Sequence, residues 1–414
     1  MTELKYSMPD FVGDLFRNCN LRLLTLLSLV LLSVSPGLAA QDDNGVRLEA
    51  LIEEAKEKNQ QLISAFEEAE RFKIRIPLLE KVSDPLVGFY YLDFPLGNIT
   101  KGWTAKENQE EIKANAPVKA KKRGRGKILT GLDMVEDQAL WYQYLYEDLI
   151  LQVVSQIRQN YYNLYFLNKI IQVNEASLKT FDTLLETSQA SYAVGRVRQT
   201  DVLRAQAERY RLQAELIRLR QKRIETESRL NYLSGRLATH EINPQLETDL
   251  ESDNLPELRY SVVNLISGLY KFKPMIKGYQ ALGARFNAMH SMIGMRFNVE
   301  SRDEATFEAQ RGLRAISAKE KDFYFDLIAD LNSTVGRLQE NRELAGLYGK
   351  VMLPQDRQLF EASLADFQVG SAELSAPLNA LLDLNRNQNL YYQALADYMV
   401  AMARLEELSG IPLN

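Results

Sequence analysis

Cysteine and histidine are scarce in this 414-residue chain, and their scarcity narrows the chemistry that it can perform. Cys19 is the only cysteine, so no disulfide can form within the chain. His240 and His290 are the only histidines, and neither has a carboxylate or a second ligand at the spacing of a metal site. The sequence also has no phosphate-binding glycine loop and no nucleophile elbow. We therefore predict no enzymatic activity, no cofactor and no metal site.

Long apolar runs are equally rare, because residues 21–38 form the only strongly apolar stretch. Arginines precede this stretch and small residues follow it, which predicts a secretory signal peptide over residues 1–40, cleaved after Ala39 or Ala40. A single membrane anchor is the alternative, but serines and a proline shorten the apolar core below the ~20 residues that a span needs. We therefore expect the mature chain to be exported and to lose Cys19.

An excess of one charge is also absent. Lysine and arginine number 50 and aspartate and glutamate 55, a net charge of -5 that predicts no general attraction to nucleic acid or to an anionic membrane. A basic run at residues 119–127 has two interpretations: contact with anionic lipopolysaccharide or phosphate, or a solvated loop, which is favoured. No aromatic platform accompanies this charge, so nucleic acid is not an expected partner.

A long internal repeat is the strongest positive feature of the sequence. One set of residues recurs later in the chain, without a gap and at a constant offset that places Gly370 opposite Gly195. An echo at fixed spacing indicates two copies of one supersecondary unit. The matching elements are Tyr192-Ala-Val-Gly195 with Phe367-Gln-Val-Gly370, Leu203-Arg-Ala205 with Leu378-Asn-Ala380, Arg229 with Arg404, and Leu233-Ser-Gly235 with Leu408-Ser-Gly410.

Each copy has the pattern of a long helical hairpin. In the first copy, apolar residues recur at every seventh position from Ile150 to Tyr192, which predicts a coiled-coil helix with one face against a partner. Gly195 can adopt the left-handed conformation that ends a helix, and Thr200 or Asp201 can cap the next one. Because about five residues join the two helices, they must run antiparallel. The returning helix carries the same spacing in Leu203, Tyr210, Ile217 and Ile224.

Helical periodicity extends beyond the hairpins. Apolar residues at three- and four-residue steps over residues 48–69 predict an amphipathic helix that ends before Pro77. A linking helix is predicted over residues 258–270, continuing past Pro274 towards Met289. Clustered tyrosines are interpreted as residues that fill helix seams or, alternatively, as a partner surface: Tyr161, Tyr162, Tyr165, Tyr391, Tyr392 and Tyr398.

At these residues the chain resembles the TolC family of outer-membrane efflux proteins, including its heavy-metal branch. The resemblance covers about two thirds of the chain and extends upstream to Asp84-Pro85 and Tyr161-Tyr-x-Leu164. Its main elements are the Tyr192-x-x-Gly195 turn, the following Asp201-Val-Leu203-x-Ala205-Gln206, the echo of both from Phe367 to Ala380, and the closing Leu405-Glu-x-Leu408-x-Gly410.

The resemblance implies a homotrimer, in which each protomer supplies two hairpins to a twelve-helix periplasmic tube continued by a β-barrel in the outer-membrane lipid. An inner-membrane pump would deliver substrate through a periplasmic adaptor protein docked at the hairpin tips, so the chain would be a passive conduit. Some members narrow the tip with acidic rings, for which Asp201 and Glu373 are the matching residues, although Ala376 replaces the aspartate in the second copy. The expected docking residues are Gly195, Arg196, Val197, Arg198, Gly370, Ser371, Ala372 and Glu373.

The membrane strands of the family are matched less well. Residues 86–95 are an aromatic-rich candidate strand and residues 292–300 predict one short strand, so two candidate strands stand where the family has four. Residues 98–126 are polar, and residues 301–321 are polar and helix-like. Two functions therefore stay open: an outer-membrane efflux channel facing the periplasm, and a periplasmic interaction protein that kept the hairpins without a barrel or pore.

The predicted fold class is mainly α, with duplicated antiparallel coiled-coil hairpins and short or degenerate β-strand segments. The predicted organisation is a signal peptide (1–40), an N-terminal helix (41–76), a strand-like segment with the basic loop (77–127), a first hairpin repeat (128–240), a linking helix (255–290), a short strand-like and polar segment (291–320) and a second hairpin repeat (321–414).

Overall fold

The computed structural model describes residues 46–81, 131–246, 249–296 and 299–413. The predicted signal peptide, the candidate strand at 86–95 and the basic run at 119–127 lie outside these residues. Within them the fold is almost entirely helical, and the one β feature is an isolated parallel bridge between Val46 and Pro244. The helices are α1 (Leu48–Lys58), α2 (Gln60–Lys81), α3 (Gly131–Ala193), α4 (Gln199–Ser234), α5 (Val262–Phe272), α6 (Pro274–Arg296), α7 (Val299–Leu347), a π-helix (Tyr348–Met352), α8 (Leu353–Val369) and α9 (Ser375–Ser409).

The first hairpin consists of α3 and α4, which pack against each other. At about 1.5 Å per residue, the 63 residues of α3 span about 95 Å. The predicted heptad row of α3 is buried along most of its length: Ile157 and Leu164 are fully buried, whereas Tyr192 near the tip is 46% exposed. On α4 the residues that face α3 include Ala205 and Leu212, and the predicted row from Leu203 to Ile224 lies on the exposed side.

The second hairpin consists of α7, the π-helix and α8 on one side, and α9 on the other. The π-helix contains Gly349, where a Cβ would lie 2.8 Å from the ring of Tyr391 on α9. A side chain at this position would push the two sides apart, and the glycine therefore permits the close approach. The two hairpins join along α3 and α9, so that the helices lie in the order α4, α3, α9 and α7–α8.

The N-terminal helix differs from its prediction at two positions. It breaks at Asn59, whose extended backbone (φ -68°, ψ 118°) separates α1 from α2. Asn59 Oδ1 accepts hydrogen bonds from the amides of Gln61 and Leu62, at 2.9 and 3.1 Å, and so caps α2. The prediction that the helix ends before Pro77 is wrong, because α2 continues through it. Proline removes one helical hydrogen bond, and packing of α2 on α3 outweighs that loss.

The predicted strand at residues 292–300 is also wrong. Residues 292–296 belong to α6 and residues 299–300 to α7, which packs against α6. Short apolar runs do not distinguish a strand from a helix by periodicity, and here the run prolongs a helix that already packs on α3. The helix-like segment 301–321 is confirmed as part of α7.

The repeat extends beyond the hairpins to the short helices that precede them. Helices α1 and α5 each have 11 residues, and each meets the next helix at a single bent residue, Asn59 or Lys273. Each bend docks on the last turn of a hairpin: a Cβ on Gly235 would lie 2.7 Å from the Lys58 carbonyl oxygen, and a Cβ on Gly410 would lie 2.6 Å from the Phe272 carbonyl oxygen. Only glycine fits these contacts, which explains why both ends of the repeat are Leu-Ser-Gly.

The side chains of the two bent residues complete the docking. Asn59 Nδ2 donates to the Leu233 carbonyl oxygen at 2.7 Å, and Lys273 Nζ donates to the Glu407 carbonyl oxygen at 2.9 Å. These bonds satisfy carbonyl groups at helix ends that lack an intrahelical donor. Lys273 is buried and charged, and its ammonium lies 2.9 Å from the buried carboxylate of Asp148 on α3. The pair therefore ties α3, the α5–α6 bend and α9 together.

The core is divided along the hairpins by a polar layer between α3 and α9. One large apolar cluster surrounds Ile157, Leu331 and Leu395, and a second lies near the tips. Between them, Asn174 Nδ2 donates to Asn389 Oδ1 at 2.9 Å, and other bonds in the layer join Asn385 to Ser177 and Asn174. None of the described helices has a stretch that is both long and apolar enough to span a lipid bilayer.

Candidate functional site: the hairpin tips

The tip of the first hairpin is a tight turn between α3 and α4. Gly195 has φ +75° and its amide donates to the Tyr192 carbonyl oxygen at 2.9 Å, while the Arg196 amide donates to Ser191 at the same distance. These bonds and the left-handed glycine form the expected helix C-terminal motif. A Cβ on Gly195 would meet no atom within 4 Å, so the glycine is required by its backbone conformation and not by crowding.

The tip of the second hairpin repeats this geometry. Gly370 has φ +79°, its amide donates to Phe367, and the Ser371 amide donates to Asp366 at 2.9 Å. The turn is held further by the Ser371 hydroxyl, which donates to the Asp366 carbonyl oxygen at 3.0 Å. Leu374 then turns inward and is 1% exposed. Both predicted turns are therefore confirmed as structural features.

The prediction that Thr200 or Asp201 caps α4 is wrong. The helix begins at Gln199 after Arg198, and no side chain accepts a capping hydrogen bond there. Thr200 and Asp201 lie inside the first turn, where a carboxylate still favours the positive end of the helix dipole. Asp201 instead pairs with Arg198, whose Nε lies 3.2 Å from Asp201 Oδ2.

Arg198 also joins the two tips. Its Nη2 lies 3.0 Å from Glu373 Oε1 on the second hairpin, so one guanidinium pairs with both acids expected at a tip gate. Arg198 is 68% and Glu373 70% exposed, and such surface pairs typically contribute about 0.2–1 kcal/mol. Within this chain the acids are therefore neutralised by a weak contact that adjacent charges or salt can break.

A shared apolar core holds the two tips in place. It includes the fully buried Phe181 and Ala205 from the first hairpin and Phe367 and Leu378 from the second. Val197, at the first tip, packs partly into this cluster. The structure thus brings the predicted tip residues to one end of the molecule. The exposed residues there include Val194, Gly195, Arg196, Arg198, Val369, Gly370, Ser371 and Glu373.

The sequence carries a signal for the link between the tips that the turn motifs alone do not reveal. Arg198 and Glu373 occupy equivalent positions of the repeat, 175 positions apart, and carry opposite charges. Where two copies of a unit lie side by side, equivalent positions face similar surroundings, so a charge reversal between them favours an ion pair. Arg198 also precedes Asp201 at the i, i+3 spacing at which helix side chains meet.

The strap, which we define as residues 236–246 and 249–261, crosses both hairpins away from the tips. Its acids pair with bases of both hairpins: Asp249 with Lys169 on α3 at 3.2 Å, and Asp253 with Lys350 in the π-helix at 2.7 Å. Glu257 pairs with a base of α7 in the same way. The strap therefore bridges the two hairpins electrostatically.

Tyrosine hydroxyl groups complete the attachment of the strap. Tyr161 donates to the Gln245 carbonyl oxygen at 2.6 Å, Tyr165 donates to Asp249, and Tyr398 donates to the Pro256 carbonyl oxygen. Burial raises the pKa of Tyr161 to about 12 and also raises the pKa of Tyr165, so both stay protonated donors at neutral pH. Three of the six tyrosines thus combine a buried ring with a strap contact, which neither sequence interpretation anticipated.

The described residues also form open clefts, of which two are considered as candidate sites. The larger cleft, about 840 Å³, lies between the first hairpin and the strap and is lined by Tyr165, Glu175 and Ile224, among others. The smaller, about 340 Å³, lies beside Tyr142 and Phe323. Among the described residues, no group of three or more histidine, cysteine, aspartate or glutamate side chains is arranged to hold a metal ion.

The comparison with known families agrees with this geometry. Residues 125–236 match the family model described as outer membrane efflux protein. The first hairpin is therefore similar to an outer membrane efflux protein domain. The second hairpin repeats the geometry of this domain, and the resemblance predicted from the sequence is confirmed. No curated protein matches the chain.

Solved structures share the fold across nearly the whole chain. The outer-membrane channel OprN superposes with a TM-score of 0.67 at 11% identity, covering 88% of this chain and 89% of its own. The CmeC outer membrane channel of Campylobacter jejuni gives 0.66 at 10% identity, covering 88% and 85%. The open state of the MtrE outer membrane channel of Neisseria gonorrhoeae gives 0.65 at 12% identity, covering 89% and 90%. The mainly α fold with duplicated hairpins is therefore confirmed.

Proposed function

We propose that the chain is the outer-membrane outlet of a tripartite efflux system, a passive homotrimeric conduit that exports small molecules or metal ions. The observation that carries this proposal is the pair of equivalent hairpins whose tips lie at one end, joined by Arg198 and Glu373 at 3.0 Å. Four long helix columns per protomer, arranged side by side, have the shape required for one third of a tube wall. The efflux domain over residues 125–236 supports the same function.

The tips are the proposed docking site for a periplasmic adaptor protein, through which an inner-membrane pump would deliver the substrate. Val194 is 69% and Val369 79% exposed, and these apolar side chains flank the charged Arg196 and Glu373. Exposed apolar residues beside charged ones are typical of a surface that binds another protein. Asp201 and Glu373 are the proposed tip gate, in which the ion pairs of both acids with Arg198 hold the two tips close together and keep the opening narrow.

The test is conductance. The purified protein, reconstituted in a planar lipid bilayer, should conduct ions. A matched variant, Arg198→Gln, removes the ion pair between the tips but keeps their shared apolar core, and it should conduct more because the tips are less tightly held. A protein that is trimeric and folded yet never inserts or conducts would refute the channel proposal. The domain boundaries and the outer-membrane location predicted from the sequence belong to the same proposal.

A second function is favoured by one observation. Helices α6 and α7 occupy residues 292–296 and 299–300, where the sequence predicted a strand. A periplasmic interaction protein that kept the hairpins and has no pore of its own fits this finding. Fractionation of cells separates the two functions: the channel should sediment with outer-membrane lipid, whereas the interaction protein should appear in the soluble periplasmic fraction.

A further inference from the structure

One face of α4 carries a row of large apolar side chains that are largely uncovered within the protomer. Leu203, Tyr210, Ile217 and Ile224 are 55%, 64%, 64% and 53% exposed and recur at every seventh residue. Single exposed apolar residues are ordinary, but a row with heptad spacing is the pattern of a helix that packs against another helix. The row lies away from the residues that face α3, so no other described helix of the protomer covers it.

A second exposed row lies at the other edge of the protomer. Leu347, Val351, Leu359 and Val369, on α7, the π-helix and α8, are 49%, 44%, 56% and 79% exposed. Gly349, between the first two, faces Tyr391 on α9, so Leu347 and Val351 point away from α9. The two rows are thus the outer edges of the helix order α4, α3, α9, α7–α8, with α3 and α9 between them.

The two rows lie at matching heights, where height means the distance along the helix axis from the tip end of α4 or α8. At about 1.5 Å per residue, Ile217 lies about 27 Å from the first residue of α4, and Val351 lies about 27 Å from the last residue of α8. Tyr210 and Leu359 lie about 17 Å and about 15 Å from the same two ends. Rotation about the tube axis preserves height, so equal heights allow one copy to meet the next.

Charge supports the same pairing. By the same rise, Arg204 lies about 8 Å from the tip end of α4, and Glu361 lies about 12 Å from the tip end of α8. Both side chains are exposed, and neither forms an ion pair with another described residue of the protomer. The α4 edge therefore presents the positive charge of Arg204, and the α8 edge presents the negative charge of Glu361 at nearly the same height. These two edges would face each other in neighbouring copies.

We infer that these rows are the two halves of one seam, in which the α4 row of one copy packs against the α7–α8 row of the next copy of this chain. This inference rests on the proposed trimer and specifies its contact. With side chains that each expose on the order of 100 Å², the two rows supply on the order of 800 Å², and the charged flanks bring the seam towards the ~1,200–2,000 Å² of stable interfaces. Because the two faces differ, the contact is head-to-tail, and with the three-fold rotation of the proposed trimer it closes into a ring.

The larger cleft lies at the end of the seam that is farthest from the tips. Ile224 lies in the cleft wall together with Ile171 of α3, at a height of about 38 Å above the tip end of α4. Leu347 of the next copy lies about 33 Å above the tip end of α8, within about one helical turn of that height. Above Leu347, the exposed residues of α7 are polar or glycine as far as Asn332. The apolar seam therefore ends where Leu347 of the next copy enters the cleft.

Cysteine cross-linking tests the register directly, because Cys19 is the only native cysteine and can be replaced by serine. In this background, oxidation of Ile217→Cys with Val351→Cys should yield disulfide-linked dimers and trimers on non-reducing gels. The pair cannot close within one protomer, because α3 and α9 separate the two edges. The matched control, Ile217→Cys with Leu359→Cys, is displaced along the seam by about 12 Å and should stay monomeric.

Charge reversal gives a second measurement. Arg204→Glu should lower the association constant up to about fivefold, and adding Glu361→Arg should restore it, as expected for an exposed ion pair. Equal cross-linking of matched and displaced pairs would overturn the register. Failure of the matched pair in a protein that is still trimeric and conducting would overturn the seam and leave the proposed function standing, whereas a monomer without conductance would remove both.

Discussion

The buried ion pair between Lys273 and Asp148 offers a sharp test of what holds the two halves together. The side chains are 4% and 6% exposed, and Nζ lies 2.9 Å from Oδ1. Asp148 Oδ2 also accepts a hydrogen bond from Gln152, and Lys273 donates to the Glu407 carbonyl oxygen. Lys273→Met keeps most of the length and apolar volume of the side chain but removes the charge and both contacts.

We expect Lys273→Met to destabilise the protein by about 3–5 kcal/mol, because it leaves a carboxylate buried without its counter-charge. The double variant Lys273→Met/Asp148→Leu removes both charges and should recover most of this loss, since replacing a whole buried pair with apolar residues is often close to neutral. The matched surface control is Lys56→Met. Lys56 pairs with Glu53 at 2.7 Å but is 43% exposed, so its loss should cost less than about 1 kcal/mol.

Urea unfolding followed by circular dichroism at the helical minimum gives the comparison, with the midpoint read for all four proteins under identical detergent conditions. The single variant should have the lowest midpoint, and the double variant should lie between it and the wild type. A double variant no more stable than Lys273→Met would show that the cost came from lost packing or the lost Glu407 contact, and not from the uncompensated charge of Asp148. Equal effects of Lys56→Met and Lys273→Met would refute the reasoning from burial.

The turns, the bend and the strap each give a further prediction. Gly195→Val with Gly370→Val should leave the protein folded, because open space surrounds both glycines. The left-handed backbone should strain both tips by about 1–2 kcal/mol and lower the efflux-dependent tolerance of cells to drugs or metals. Unchanged tolerance would remove the docking assignment. Asn59→Asp keeps the cap of α2 and loses the donor to α4, so its free energy of unfolding, measured in urea, should fall by about 1–3 kcal/mol, against a larger loss in Asn59→Ala. The hydrogen bond from Tyr165 lowers the pKa of Asp249. The resulting stabilisation of the strap is therefore present above the ordinary aspartate pKa of about 4 and is lost as the pH falls through the lowered pKa. Amide hydrogen exchange of the strap should become faster in that pH range, and Asp249→Asn should abolish this change.

The regular parts of the fold were predictable because their signals are redundant. Heptad spacing, left-handed glycines and the duplicated motifs each indicated the hairpins, and Gly195 and Gly370 adopt the predicted conformation. The break at Asn59 and the passage of α2 through Pro77 were missed because local propensity does not report packing. At residues 292–300 the apolar run suited a strand and a helix equally, and the existing helix decided the outcome.

The candidate site was predicted in position but not in its contacts. The tip residues follow from the turns, whereas the pairing of Arg198 with both Asp201 and Glu373 requires knowing that the two hairpins lie side by side. The strap carries no periodicity before residue 258, and the helix predicted from residue 258 begins only at Val262. Its attachment by Tyr161 and Tyr165 depends on contacts between residues 84 positions apart, which no local pattern encodes.

The polar layer of Asn174, Asn385 and Asn389 between α3 and α9 can prevent incorrect pairing of the two hairpins of a duplicated chain. Two interchangeable hairpins could equally well associate like with like, exchange between neighbouring molecules, or slide by a turn. The positions equivalent to Asn174 and Asn385 in the opposite copies are Gly349 and Tyr210, which have no side-chain amide to offer. Sequence divergence at a few side chains therefore lets each hairpin pair specifically with the other. The duplicated chain thus folds into one molecule with two non-equivalent hairpins.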